Sequence, residues 1–264
     1  MAEFRSNLGA NECVINDDNY RQHLIGPAGK AKGFLGSRMR PRSAIEGRKT
    51  FNDLGIPLVP ESEWKDRIEE REANKATLKD FSIDAGLPCK DQGRTNYCWI
   101  NAPTHCSEIV NLLTTGQVIS LSPASAGARI KNFANVGGWG SQGLKWMGDH
   151  GVNRSSDWPD NEIDRKYNTP ENQQKALEFL VVEEYQLQTL QERISCLFAN
   201  IPIADGYNWW SHEVTGIDPV WNGRIALRSR NSWGMTYGDR GFFVLEGSKM
   251  MADDSVAIVS LAMR

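Results

Sequence analysis

No apolar run in this chain is long enough to cross a bilayer. Stretches such as residues 179–182 fall far short of the ~18 residues a spanning helix needs. Charge of one sign is also missing: 30 Lys and Arg stand against 33 Asp and Glu in 264 residues. Overall charge therefore gives no case for nucleic acid, and neither a nucleic-acid nor a membrane partner is expected. The first residues, MAEFRSNLGANECV, contain no apolar stretch of the kind that directs secretion. The five cysteines (Cys13, Cys89, Cys98, Cys106 and Cys196) are odd in number and form no CxxC or CxxxxH spacing. At least one thiol is thus unpaired within the chain; no metal site and no cofactor are expected, and a reducing, cytoplasmic setting is. No internal repeat appears. Disorder throughout is excluded by nine Trp and nine Phe, which supply large units of buried surface.

The chain divides by character into 1–60, 61–79 and 80–264. Residues 26–50 hold five Gly, two Pro and seven Lys or Arg against the single acid Glu46. Without helical or strand periodicity they read as a basic arm, suited to docking on an acidic protein surface. Residues 61–79 are polar nearly all round, with Glu/Lys and Glu/Arg spacings of an exposed helix. In CWINAPTHCSEIVNLL, Trp99, Ile100, Cys106, Ile109, Val110 and Leu113 make an apolar stripe at helical spacing, with Pro103 expected to distort it. A short helix should follow the glycine-rich turn at 137–143 and end at Gly151. ENQQKALEFL and YQLQTLQERISCLFA read as two more helices; from Ile201 onward the runs IPIA, HEVTGID, RIALRSR and GFFVLE read as strands. Helices first and strands second argue for an α+β protein of two lobes.

Three segments combine into a chemical constellation. Gln92 precedes Cys98 by six residues, His212 heads a β-prone run, and Asn231 opens Asn-Ser-Trp-Gly. A thiol at a helix N-terminus sits at the positive end of the macrodipole, which favours thiolate. An imidazole beside it would lower its pKa further, to ~3–4 in Cys–His pairs. An Asn amide oxygen can fix the ring through its other nitrogen. A Gln amide, with the Cys backbone N–H, can hold an oxyanion.

With these motifs on the page, the sequence from about residue 80 onward resembles the papain family of cysteine peptidases. DQGRTNYCW is similar to the family's Gln-to-nucleophile segment, GGWGSQGLKWMGDHGV to its substrate-binding glycine pair and following helix, and HEVTGID and RNSWGMTYGDRGFFVLE to its His and Asn strands. The resemblance implies a helical lobe and a β-barrel-like lobe with a cleft between them. It implies Cys98 as nucleophile, His212 as base and acid, Asn231 as orienter and Gln92 as oxyanion donor. Gly137, Gly138, Trp139, Ser211 and Trp233 would bind or border a peptide or protein substrate, with Trp233 shielding the His–Asn pair.

Departures from the pattern carry their own expectations. Thr95, Asn96 and Tyr97 replace small residues and the usual cysteine before the nucleophile, which should crowd the cleft. The connection from Pro202 to His212 is short, and the arm lacks the inhibitory propeptide signature, which argues against zymogen control. His23, His105 and His150 read as surface or cap histidines, and Cys106 and Cys196 as inert buried thiols. One of Trp209 and Trp210 could border the cleft, while Glu213 should alternate away from His212 and play no acid role. The competing class is non-enzymatic: a papain fold serving as a structural or docking module of an assembly, such as a phage virion, through its arm. A transglutaminase-like or amidase relative shares the Cys–His logic, but Asn-Ser-Trp-Gly favours the papain type.

Overall fold

The computed structural model of the protein describes residue 8 and residues 11–263. The start of the basic arm (1–7, 9 and 10) and Arg264 lie outside them. Eight strands form one mixed sheet: β1 (Cys13–Ile15), β2 (Lys49–Thr50), β3 (Phe179–Gln186), β4 (Ile203–Tyr207), β5 (His212–Trp221), β6 (Ile225–Arg230), β7 (Phe242–Glu246) and β8 (Asp254–Met263). Their order is β1-β7-β6-β5-β4-β8-β3-β2, so both edges come from the N-terminal 50 residues. Those two edge strands run parallel to their neighbours, and every other pairing is antiparallel. The helices are α1 (Phe51–Leu54), α2 (Glu61–Ala73), α3 (Leu78–Asp84), α4 (Cys98–Thr115), α5 (Pro123–Ile130), α6 (Gly140–His150), α7 (Pro170–Ala176) and α8 (Leu190–Phe198).

Two large apolar clusters correspond to the two lobes. One gathers Trp99, Ile100, Leu144, Met147 and Phe179 around α4 and α6. The other gathers Ile15, Trp64, Ile194, Trp210 and Phe243 around the sheet, α2 and α8. Helix α4 lies between them and is buried from Cys98 to Leu112. The expected apolar stripe is therefore only half of its buried surface: Asn101, Thr104, His105, Ser107, Glu108 and Asn111 are buried too. Their polar groups are answered locally or across the lobe boundary, where the Lys90 ammonium lies 2.6 Å from Glu108. The helix is continuous through Pro103, whose missing N–H gives up one bond of the helical ladder. The side chains of Asn101, Thr104 and Ser107 bond the carbonyls of Tyr97, Ile100 and Pro103 around it.

Several expectations are revised. FLVVEEYQ is strand β3 rather than parts of two helices; it pairs with β8, itself unforeseen. Helices α7 and α8 keep only the capped portions of the expected segments, starting after Thr169 and Thr189, whose side chains accept the N-terminal amides. The polar segment 61–79 holds α2 and the start of α3, and Trp64 and Ile68, one turn apart, bury a narrow face. His105 is no surface residue: its Nδ1 is 2.9 Å from Glu108, and Arg230 donates to its Nε2 at 3.4 Å. Burial is the main reason its pKa falls to about 4, with Arg230 and Lys90 acting the same way and Glu108 opposing.

Two outcomes follow. Ile15, fully buried in the sheet lobe, should cost about 2–5 kcal/mol when truncated in Ile15→Ala, read by urea denaturation. A histidine held neutral in the fold and free to charge when unfolded takes up protons on unfolding. Its penalty is absent above pH 6.5 and grows as pH falls toward 4. His105→Gln should therefore lose less stability between pH 6.5 and 4 than the parent, and equal slopes would refute this account.

Candidate active site

Cys98 is the first residue of α4, with Tyr97 as N-cap, and it is fully buried. Its side chain packs with Phe34 and Trp139. Burial pushes its thiol up to about 12, the Glu213 carboxyl adds to this, and the backbone amides of Glu213, Gly33 and Phe34 oppose it. The Glu213 amide belongs to the second residue of β5, so the thiol lies against the strand that begins with His212.

His212 Nε2 is 2.9 Å from Asn231 Oδ1. Trp233 stacks on the imidazole at 4.5 Å between centroids and Trp210 meets it edge-on at 4.8 Å, so the His–Asn pair is sheathed in indole. Nδ1 is buried and has no hydrogen-bond partner among the described residues, Cys98 included. Burial brings the pKa of His212 down to about 3; the Asn231 bond opposes this and the Lys32 charge adds to it. The same Lys32 ammonium is held up by Cys98 against its own burial, so it lies within electrostatic reach of both side chains. Burial thus disfavours the charged form of both the thiol and the imidazole in this conformation.

Gln92 is tied to the Asn segment. Its Oε1 accepts from Ser232 Oγ at 2.5 Å, and its backbone N–H donates to the Ser232 carbonyl at 2.8 Å. One N–H of its amide goes to the Thr95 carbonyl at 2.8 Å, which leaves the second free for another acceptor. Tyr97 does not crowd the groove: it is buried against Gly127 and Trp99, and its hydroxyl donates to the Ala134 carbonyl.

The groove beside Cys98 is filled by residues 31–36 of the chain itself, which the sequence did not lead us to expect. Gly138 N–H donates to the Gly33 carbonyl at 2.8 Å and Leu35 N–H to the Gly138 carbonyl at 3.2 Å, a parallel bridge. Phe34 N–H donates to the Ser211 carbonyl at 3.2 Å. Trp139 and Trp233 donate their indole N–H groups to the carbonyls of Gly36 and Ala31. All four of these candidate substrate residues therefore bond an extended peptide backbone. Gly137 completes the set by proximity: a Cβ there would sit 2.3 Å from the Gly33 carbonyl oxygen, and one on Gly138 would strike the Trp99 ring at 2.6 Å. Phe34 lies over Gly206, where a Cβ would meet its ring at 2.7 Å.

Sequence reasoning missed Gly33, Phe34 and Lys32, because they act through backbone bonds and proximity that no spacing reveals. It also passed over Glu213, whose buried carboxyl accepts the Gly140 N–H at the start of α6 and bears on the Cys98 thiol. Trp210 borders the His212 ring, whereas Trp209 stacks behind it at 5.2 Å.

No family model matches the chain. Among curated proteins, it is 23 % identical over 265 residues to oryzain beta chain of Oryza sativa subsp. japonica, covering 87 % of this chain and 51 % of that one. It is 24 % identical over 255 residues to germination-specific cysteine protease 1 of Arabidopsis thaliana, covering 88 % and 62 %. The chain thus spans only about half to three fifths of the length of these relatives. Among solved structures, xylellain, a cysteine protease from Xylella fastidiosa, aligns over 100 % of both chains with TM-score 0.56 at 16 % identity. Digestive procathepsin L 3 of Tenebrio molitor larval midgut aligns over 93 % of this chain and 79 % of its own, with TM-score 0.60 at 16 % identity. Sequence and backbone agree: the chain has the papain-like two-lobe α+β fold and resembles papain-like cysteine proteases along most of its length.

Proposed function

We propose that this protein is a papain-type cysteine endopeptidase, described here with its groove closed. One arrangement carries the reading: the His212–Asn231 pair under Trp233, a thiol at a helix N-terminus against the strand that His212 begins, and a groove whose walls already bond a peptide backbone. In the open form, His212 Nδ1 takes the Cys98 proton while Asn231 holds Nε2. The thiolate attacks the carbonyl carbon of the scissile amide, and the oxyanion is met by the Cys98 N–H and the free N–H of Gln92. His212 gives its proton to the leaving amine. It then removes one from water, which hydrolyses the thioester. Gly137, Gly138, Trp139, Ser211 and Trp233 hold the substrate backbone as they now hold residues 31–36. The proposal includes the division into an arm (1–60), a helical connection (61–79) and a peptidase body (80–264), and a reducing, cytoplasmic setting.

The second reading, a papain fold used as a docking module in a larger assembly such as a virion, is favoured by the filled groove and the neutral thiol. Gly33 separates the two. A Cβ on Gly33 would lie 1.9 Å from the Asn96 carbonyl oxygen, so Gly33→Ala should lift the segment out of the groove. In that variant Cys98 should alkylate rapidly with iodoacetamide below pH 6, and not in Gly33→Ala/His212→Ala. Peptide hydrolysis should appear, vanish by roughly 10⁶-fold with Cys98→Ala, and lose kcat more than it gains KM with Asn231→Ala. Alkylation that rises only near pH 8.5, as for a free thiol, with no hydrolysis, would hand the case to the docking module.

A further inference from the structure

Away from Cys98, the helical lobe has a hollow of about 540 Å³ where the ends of three helices meet. Arg129 sits in the last turn of α5 and Phe133 in the turn after it. Trp146 and His150 come from the end of α6, Gln174 from α7, and Leu177 follows α7. Helix α6 begins beside the groove, at the Gly140 amide that bonds Glu213, and reaches the hollow ten residues later. At ~1.5 Å per residue the two places lie roughly 15 Å apart. Arg129 donates from Nε to the Ser125 carbonyl at 2.5 Å and from Nη2 to Asn153 Oδ1 at 3.2 Å, which fixes the plane of its guanidinium. Its remaining N–H groups, both of those on Nη1 included, meet no acceptor among the described residues, and no carboxylate lies within ion-pair distance. The buried arginines of the sheet lobe are treated differently: Arg193 meets Asp205 at 2.5 Å and Arg228 meets Glu12 at 2.6 Å. Burial without such a partner pulls the pKa of Arg129 down to about 10. No Asp or Glu lines the hollow among the described residues. Its walls are flat and apolar instead, with Trp146 and His150 stacked at 4.0 Å between centroids.

We propose that this hollow is a second binding site, for an organic acid with a flat apolar body: the carboxylate pairs with Arg129, and the body lies against Phe133, the Trp146–His150 stack and Leu177. The proposal does not rest on the peptidase reading. A carboxylate is the matching partner because a guanidinium held in a fixed plane offers a planar fork of donors, which a carboxylate accepts with both oxygens. It also supplies the single negative charge that the fold gives to Arg193 and Arg228 and withholds here. A phosphate monoester fits less well, since its charge of nearly −2 and three oxygens ask for more donors than one guanidinium supplies. The volume is in the range of small-ligand sites, which are mostly apolar with a few placed polar groups. Arg129 is the placed group, and the rings are the rest.

N-acetyl-phenylalanine is a suitable probe, and its primary amide is the same molecule without the charge. Each is titrated into the full chain by calorimetry. The acid should bind with a Kd of about 1 mM or tighter, as a ligand of this size can. The amide should bind roughly 10- to 100-fold more weakly, the factor that a charge-assisted hydrogen bond carries. Arg129→Gln should bring the acid down to the level of the amide. Because Arg129 also bonds Ser125 and Asn153, a second variant leaves those bonds alone. Gln174→Glu changes an exposed residue of α7 and puts a carboxylate on the lining, so it should weaken the acid about 10-fold by like-charge repulsion. Equal affinity for acid and amide, parent affinity for the acid in Gln174→Glu, or no binding of the acid at 1 mM would each overturn the proposal. An acid of this class arrives either free or as the last residue of a peptide, and a pentapeptide of four alanines and a C-terminal phenylalanine separates the two. Affinity within about tenfold of the acid's, again weakened by Gln174→Glu, assigns the hollow to peptide ends, and a larger loss assigns it to free acids. None of these titrations reads turnover, so they come out the same whether or not Cys98 is a nucleophile.

Discussion

A helix buried on every side must have its polar face answered, and helix α4 shows how this chain does it. Glu108 carries most of the load. Burial alone would raise its pKa, but Lys90 at 2.6 Å and His105 at 2.9 Å outweigh burial and hold it ionised. The oxygen that faces Lys90 also accepts the Leu121 amide at 2.8 Å. Arg230 closes the set through His105, and Thr215 bonds the Ala102 carbonyl from β5. These contacts come from the residue two before Gln92, from the residue before Asn231 and from the strand of His212. The network that makes a buried α4 tolerable therefore also registers Cys98 against the three side chains it would work with. A half-satisfied network of this kind would cost several kcal/mol, so the site inherits its geometry from the core.

The closed groove is held by groups that ignore side-chain identity, with two exceptions. Gly33 passes so near the Asn96 carbonyl that no other residue fits, and Phe34 fills the space that the glycine at position 206 leaves open. Burial in the filled groove also disfavours charge on what it covers. Burial raises the pKa of the thiol and lowers that of the imidazole, and the Lys32 ammonium further disfavours an imidazolium. Covering the site therefore works against charge separation between thiol and imidazole, which needs water or other polar groups around it.

What the sequence made legible was chemistry that needs given residue types at given spacings. Gln92 with Cys98, His212, and Asn231 with Trp233 could be singled out because few other residues could serve. What it hid was whatever depended on distant partners. Strand β3 reads as helix because Glu, Gln and Leu surround it and its alternation is broken by register shifts between Val181 and Glu184. Glu108, one helical turn on, was within reach of His105 by spacing, but burial and Arg230, 125 residues away, were not legible. The arm looked structureless because β1 and β2 are only three and two residues long and owe their existence to the sheet edges they join. Ile15 and Glu12 tie residues 11–23 to the core, yet two buried residues make no periodic pattern.

Sheet order gives the closed state a topological cause. Ile15 ends the strand at one edge and Lys49 begins the strand at the other, and seven strand spacings separate those edges. At ~4.8 Å each this is on the order of 34 Å along the sheet. The intervening chain could span that distance several times over if extended, at ~3.3 Å per residue, so length does not dictate its course. The destinations do. A chain committed to both edges must cross the face of the molecule, and the groove between the lobes offers unpaired backbone groups at Gly138 and Ser211 along the way. Each bond made there satisfies a donor or acceptor that a dry crossing would leave bare. The filled groove thus follows from where the two ends of the segment are committed.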